Sequence, residues 1–239
     1  MAASGHPRCC VIVPAYREAR RIAAVVRGAR ERCADVLVVD DGSDDLTGEA
    51  ARAAGAAVIR HPENLGKGAA LHTGFEHARR NGFEVVITLD GDGQHDPSDI
   101  PAFLDAYRTT DTPVLVGTRM DRTQTMPWNR LLTNRFMSWL LSRRMGQRVP
   151  DTQCGFRLIR TDVLPARRTG SERFAAESEL LLELAERGAR IGSVPIKVIY
   201  RDEKSKIRPL RDAVRFFRML RRYDRGRAQR RAAAAGGAP

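Results

Sequence analysis

Val85-Val86-Ile87-Thr88-Leu89-Asp90-Gly91-Asp92-Gly93-Gln94-His95-Asp96-Pro97 is the stretch on which the rest of the chain turns. A short run suited to a buried strand ends abruptly in two carboxylates one residue apart. Such a strand tip suits a hard divalent cation, Mg²⁺ or Mn²⁺, which takes oxygen ligands and keeps coordination sites open for phosphate. The same residues also describe an ordinary solvated acidic turn, so their meaning depends on their company.

Toward the N-terminus, strand and helix signals alternate. Residues 9–13 read as a buried strand, 18–33 as a helix, 35–40 as a strand, 46–54 as a helix, 57–60 as a short strand, 67–81 as a helix and 84–89 as the strand before the acids. This βαβα order predicts an α/β fold, a Rossmann-like, mostly parallel sheet flanked by helices. Ligands on such sheets bind beyond the carboxyl ends of the strands. The polar clusters at 14–18, 40–45 and 90–94 all fall there.

Toward the C-terminus the pattern is less regular. Residues 114–118 read as a strand, 128–145 as an amphipathic helix, 154–159 as a strand, 177–187 as a helix and 191–200 as a strand, with Pro195 at an edge or bulge. The expected organisation is a single domain over 1–220, made of two halves, 1–120 and 121–220. The basic tail, 221–239, is expected to be disordered.

Charge narrows the partners. In 239 residues, 41 Lys plus Arg stand against 29 Asp plus Glu, a net charge of +12, which calls for an anionic partner. Cys9, Cys10, Cys33 and Cys154 show no paired metal spacing and read as small core residues of a protein in a reducing cytoplasm. Nowhere do eighteen apolar residues run uninterrupted, and no leader pattern opens the chain, so any membrane role is expected to be peripheral.

Seven motifs stand in order: Val13-Pro14-Ala15-Tyr16-Arg17-Glu18, Val39-Asp40-Asp41-Gly42-Ser43-Asp44-Asp45, Asn64-Leu65-Gly66-Lys67-Gly68-Ala69-Ala70, the Asp90 segment, Gly117-Thr118-Arg119, Asp151-Thr152-Gln153-Cys154-Gly155-Phe156-Arg157, and Ser205-Lys206. Together they resemble the family 2 glycosyltransferases of GT-A fold, most closely the dolichol-phosphate mannosyltransferase and polyprenyl-phosphate glycosyltransferase branch. The resemblance covers roughly residues 11–220 and implies that 1–120 is the nucleotide-sugar and metal half and 121–220 the acceptor half of the single domain.

That resemblance implies a metal-dependent, inverting transfer of a hexose, mannose or glucose, from a nucleotide-sugar donor such as GDP-mannose or UDP-glucose to a polyprenyl phosphate. Pro14 and Tyr16 would pack on the base or ribose, Glu18 would take a ribose hydroxyl, and Asp41 would accept from a base N–H. Asp90, Asp92 and Gln94, with Gly91 between the acids, would carry Mg²⁺ or Mn²⁺ and the diphosphate, and Asp92 counts among the catalytic residues. Arg119, Arg201 and Lys206 would hold phosphate groups. Asp151 would be a catalytic base or a ligand of the sugar hydroxyls. One departure stands out: related enzymes often read Arg-x-x-Gly-x-Ser-Lys where this chain has Arg201-Asp202-Glu203-Lys204-Ser205-Lys206, shorter and without the glycine.

Other residues fall outside this set. Gly66-Lys67-Gly68 lacks the spacing and the terminal Ser or Thr of a Walker loop, although Lys67 could touch phosphate. His95 reads as a residue behind the metal loop. Arg157 reads as the exposed member of an alternating strand, and Glu177 and Glu179 as acids favoured at a helix start.

Two segments place aromatic and aliphatic residues at helical spacing beside arginines, 128–141 and 207–220, the pattern of helices that lie on an anionic membrane surface. A peripheral enzyme on the inner face of the membrane is expected, with or without a separate membrane-anchoring protein. The alternative is a soluble family 2 enzyme using a saccharide or small-molecule hydroxyl, for which Asp151 would be an obligatory base. Nucleic-acid binding would account for the charge but for none of the motifs, and no Gly-x-Gly-x-x-Gly follows the first strand to support a dinucleotide site.

Overall fold

The run Cys9-Cys10-Val11-Ile12-Val13 leaves no polar position for solvent, and it forms the middle of the sheet. In a computed structural model describing residues 7–120, 128–165, 174–197, 199 and 209–236, β1 (Cys9–Ala15) buries every one of its residues. Helices cover both of its faces, so strict alternation is neither needed nor present.

The chain continues through α1 (Ile22–Arg30), β2 (Asp35–Asp40), α2 (Thr47–Ala53), β3 (Ala57–Arg60), α3 (Lys67–Arg80) and β4 (Val85–Thr88). Then come α4 (Ile100–Thr110), β5 (Val114–Thr118), α5 (Trp128–Met145), β6 (Arg157–Arg160), α6 (Phe174–Glu186), β7 (Ile191–Pro195) and α7 (Pro209–Gly236). The strands form one sheet in the order β3-β2-β1-β4-β6-β5-β7. Among the described residues only β6 runs against its neighbours; the other pairs are parallel. The mostly parallel, GT-A-like sheet expected from the sequence is the one observed.

β1 pairs with β2 on one side and β4 on the other. The connections therefore wind outward through β2 and β3, and α3 then returns the chain to the far side of β1. This reversal opens a crevice at the carboxyl ends of β1 and β4, the place where ligands of doubly wound sheets bind.

Several boundaries and exposures depart from the sequence reading. The helix expected over 18–33 begins only at Ile22, because residues 18–21 form a turn in which the Glu18 carbonyl accepts from Arg21 N and Ile22 N. The strand expected over 191–200 ends at Pro195, which lacks an N–H for the ladder and sits on the edge strand β7. Arg157, expected to face solvent, is 1% exposed. β6 lies inside the sheet, where both faces are covered and alternation exposes nothing.

The tail is the largest correction. Residues 221–236, expected to be disordered, continue α7. Alanine, arginine and glutamine are strong helix formers. Phe216, Met219, Leu220 and Tyr223 also give the helix a buried stripe against Leu141 of α5 and Leu182 of α6. The Tyr223 hydroxyl donates to the Leu182 carbonyl at 3.2 Å.

α5 carries polar and apolar residues on both its inner and its outer face. Asn134, Ser138 and Leu141 are buried, whereas Trp128, Leu132, Phe136 and Trp139 are exposed. Core packing, the ordinary use of such aromatics, is excluded for these four by their exposure. On α7 the apolar residues divide, with Phe216 and Leu220 buried and Val214 and Phe217 exposed.

Candidate active site

Leu89 is the last residue tied to the sheet, through its N–H to the Ile12 carbonyl at 3.0 Å. Asp90 then leaves the plane at the mouth of the β1–β4 crevice. The Asp92 carboxylate accepts from Gln94 N at 3.0 Å, closing an Asx turn with Gly93 at φ +71°. Behind this loop lies the Asp151–Arg157 segment. Thr88 Oγ1 donates to the Gly155 carbonyl at 2.7 Å, and a Cβ on Gly155 would sit 2.8 Å from both Asp90 oxygens. The two acidic motifs, distant in sequence, are thus locked together at a glycine.

Lys67, at the first position of α3, reaches into the same place. Its Nζ lies 2.5 Å from Asp90 Oδ1 and 2.8 Å from Glu177 Oε1 on α6. Burial alone would raise the Asp90 carboxyl, but Lys67, His95 and Arg157 outweigh it and hold it at about 2. Burial would likewise lower the Lys67 ammonium, yet Asp90 and Glu177 push it above its ordinary value. Asp92 goes the other way: burial, and then the neighbouring Asp90 charge, raise it to about 6.

Two oxygen ligands with separated acidities, a nearby amide on Gln94 and a cation already drawn to Asp90 fit a hard divalent ion. Among the described residues no group of three or more His, Cys, Asp or Glu could hold a metal ion. Asp90 and Asp92 would therefore bind Mg²⁺ or Mn²⁺ with much of its shell open to diphosphate oxygens and water. His95 is excluded from the mouth, since it packs on Phe156 at 5.6 Å with its Nε2 3.8 Å from Cys154 Sγ. Burial pulls its pKa to about 4, so the ring is neutral.

The other end of the rim, where the nucleotide is expected, is built differently from the expectation for Asp41. Its carboxylate accepts from Leu65 N at 3.0 Å, Gly66 N at 2.8 Å and the His61 ring at 2.8 Å. Asp41 thus fixes the loop that delivers Lys67, and it is buried. Gly42 beside it has φ +70°, and a Cβ there would fall 2.3 Å from the Glu63 backbone; no other residue fits this crossing. Pro14 is buried and Tyr16 is exposed at the rim. Glu18 is buried, with its carboxylate 3.3 Å from the Arg21 guanidinium.

Arg119 and Asp151 are not separate groups facing a ligand but one buried ion pair. Arg119 donates from Nε to Asp151 Oδ2 at 2.6 Å and from Nη2 to Oδ1 at 2.8 Å. Arg157 donates to the carbonyls of Cys154 at 2.8 Å, Thr152 at 3.0 Å and Glu177 at 2.9 Å, clamping the 151–155 segment to α6. Ser138 of α5 accepts from Thr152 N at 3.0 Å, so the helix bearing the exposed aromatics is fastened to that segment. Arg201 and Lys206 lie outside the described residues.

The structure therefore gathers Asp90, Gly91, Asp92 and Gln94 into one loop, and pairs Arg119 with Asp151. Lys67 joins the loop as a neighbour of Asp90, and Glu177 and Arg157, set aside in the sequence, prove to be its supports. No local pattern could have found Glu177, because its partner comes from another helix.

The sequence profile described as Glycosyl transferase family 2 matches residues 10–167. A UDP-N-acetylglucosamine–dolichyl-phosphate N-acetylglucosaminyltransferase of Methanococcus voltae is 29% identical over 80% of this chain and 85% of its own. An undecaprenyl-phosphate mannosyltransferase of Micrococcus luteus is 28% identical over 82% of this chain and 85% of its own. Among solved structures, glucosyl-3-phosphoglycerate synthase of Mycobacterium tuberculosis, in complex with Mn²⁺, UDP and phosphoglyceric acid, superimposes with a TM-score of 0.65 at 21% identity, over 89% of this chain and 75% of that one. This last likeness is one of fold.

Proposed function

Because this chain belongs to glycosyltransferase family 2, we propose that it is an inverting hexosyltransferase. Its donor is a nucleoside-diphosphate sugar carrying mannose or glucose, and its acceptor is a polyprenyl phosphate of the dolichyl type at a membrane surface. The observation that carries the choice of acceptor is the closed state of Asp151. A hydroxyl acceptor needs a general base to take its proton, whereas a phosphate monoester, with a second pKa of about 6, is already largely ionised at neutral pH. Asp151 is 1% exposed and both its oxygens are held by Arg119. A phosphate nucleophile makes no demand on it. The names of the two relatives, acting on dolichyl and undecaprenyl phosphate, support the same acceptor class.

In this reading the base and ribose lie along Pro14, Tyr16 and Glu18, and Asp41 holds the loop beneath them. The diphosphate reaches Asp90, Gly91, Asp92 and Gln94, where bound Mg²⁺ or Mn²⁺ supplies Lewis-acid stabilisation of the leaving nucleoside diphosphate. Arg201 and Lys206 serve the phosphate groups. The Arg119–Asp151 pair shapes the floor on which the sugar and acceptor meet. The exposed Trp128, Leu132, Phe136 and Trp139 of α5, with Arg135 and Arg143 also exposed on that helix, lie on an anionic membrane at the cytoplasmic face.

Transfer from a panel of radiolabelled nucleotide sugars to short-chain polyprenyl phosphate, with Mg²⁺ or Mn²⁺ and then with chelator, tests this. Metal-dependent transfer from one donor is expected. Absence of transfer to lipid, with transfer to a saccharide hydroxyl instead, would overturn the acceptor assignment.

A further inference from the structure

Lys67 lies between two acids, 2.5 Å from Asp90 and 2.8 Å from Glu177. A partly buried carboxylate such as Asp90 needs a counter-charge, and the ammonium supplies one. A divalent cation on Asp90 competes with that ammonium for the same oxygen. Once displaced, an ammonium in a pocket where it is only 22% exposed would be a poorly paired charge unless a second acid stood ready. Glu177 is that acid. It is 4% exposed, and its backbone carbonyl is held by Arg157 Nη1 at 2.9 Å, so the point on α6 from which it reaches stays in place when Lys67 moves. The lysine stem is flexible enough to move between the two.

We propose that Glu177 is a positioning residue of the metal site: the fixed second partner to which the Lys67 ammonium passes when a divalent cation takes Asp90. Lys67 then guards the empty site by neutralising Asp90, and Glu177 keeps the displaced charge beside the diphosphate. The inference rests on the reading of Asp90 as a metal ligand, and it is independent of the acceptor.

Loss of the Mn²⁺ electron paramagnetic resonance signal on binding, in the presence of UDP or of GDP, measures the site directly. Glu177→Gln, which strands Lys67 on Asp90, is expected to weaken Mn²⁺ binding on the order of tenfold. It should raise the KM for Mn²⁺ by a similar factor and leave kcat at saturating Mn²⁺ within a few-fold. Lys67→Met combined with Glu177→Gln removes the competing cation and is expected to restore Mn²⁺ binding to the wild-type level or beyond, a rescue that a packing role for Glu177 would not give. Thermal melts check folding, and Glu177→Asp, which keeps the charge but withdraws it, should fall between wild type and Glu177→Gln if the latter is unstable.

Unchanged binding in Glu177→Gln, or a double variant as weak as the single one, overturns the proposal. Wild-type protein that binds no Mn²⁺ with either nucleotide overturns the metal-ligand reading and this inference together. Failure of transfer to polyprenyl phosphate, with the titrations as expected, overturns only the acceptor.

Discussion

Gly155 stands against Asp90 so closely that a Cβ would lie 2.8 Å from each carboxylate oxygen. The separation ties the 90–94 loop to the 151–157 segment at an atom that is not there. Gly155→Ala is expected to push the Asp90 carboxylate off Lys67 and out of position. Misplacement of a reacting geometry by about 1 Å costs roughly a hundredfold in rate. Transfer assays with Mn²⁺ titration should show that loss with only a small change in melting temperature, and an unaltered rate would refute the packing.

Asp92 couples metal binding to pH. With its folded pKa raised to about 6, the folded chain binds more protons than the unfolded one between about pH 4 and 6. The contribution of Asp92 to the stability of the metal-free protein is therefore fully present below its unfolded pKa and lost as pH rises through about 6. Metal binding requires the deprotonated form, so Mn²⁺ affinity should fall on acidification below that value. Asp92→Asn is expected to remove both dependences and to abolish transfer, as melting curves and Mn²⁺ titrations at pH 5 and 7 would reveal.

Asp90 has the opposite sign. Its folded pKa is held at about 2, so the stability it contributes is present above its unfolded pKa and disappears as pH falls toward 2. Lys67→Met is expected to erase that part of the acid limb, read as a smaller loss of melting temperature between pH 4 and 2.5 than in wild type.

Arg157 satisfies three carbonyls from a fully buried position. Arg157→Met keeps much of the volume and leaves those acceptors unpaired, at about 1–3 kcal/mol for each. A drop in denaturant midpoint large enough to threaten folding is expected; a near-neutral variant would show that water replaces the guanidinium.

The outward face of α5 gives a separable prediction. Phe136 and Trp139 stack at 6.1 Å and are both more than half exposed, so Phe136→Glu and Trp139→Glu should leave the melting temperature nearly unchanged. Burying one such side chain is worth roughly 1.5–3 kcal/mol, and each variant should weaken binding to phosphatidylglycerol vesicles by about tenfold or more in co-sedimentation. Equal binding by wild type and variants would remove α5 from the membrane surface.

The place of the acidic loop was legible in the sequence. Asp90 and Asp92 announce themselves because a strand of continuous apolar residues has to end at the sheet's rim, and whatever follows it must lie there. Pro195 likewise declared an edge or a bulge, since a residue without an N–H cannot donate to a ladder. Arg157 was misread because alternation reports facing, and facing equals exposure only where one side of a sheet is wet. Residues 221–236 were misread because their composition is equally that of a soluble tail and of a helix. The apolar stripe that docks them belongs to the turns just before and after residue 221 and needs Leu141 and Leu182 opposite.

The sequence alone determined the local periodicities, and through them the strands, the rim and the acidic loop, since each depends on residues within one or two turns of one another. Tertiary structure alone decided which charges meet. Asp41 holds the Asn64–Gly66 loop, Arg119 closes on Asp151, and Lys67 is shared between Asp90 and Glu177. Each pair joins different elements, and a buried charge finds its partner only when packing has excluded the water that would otherwise have served any of them equally well.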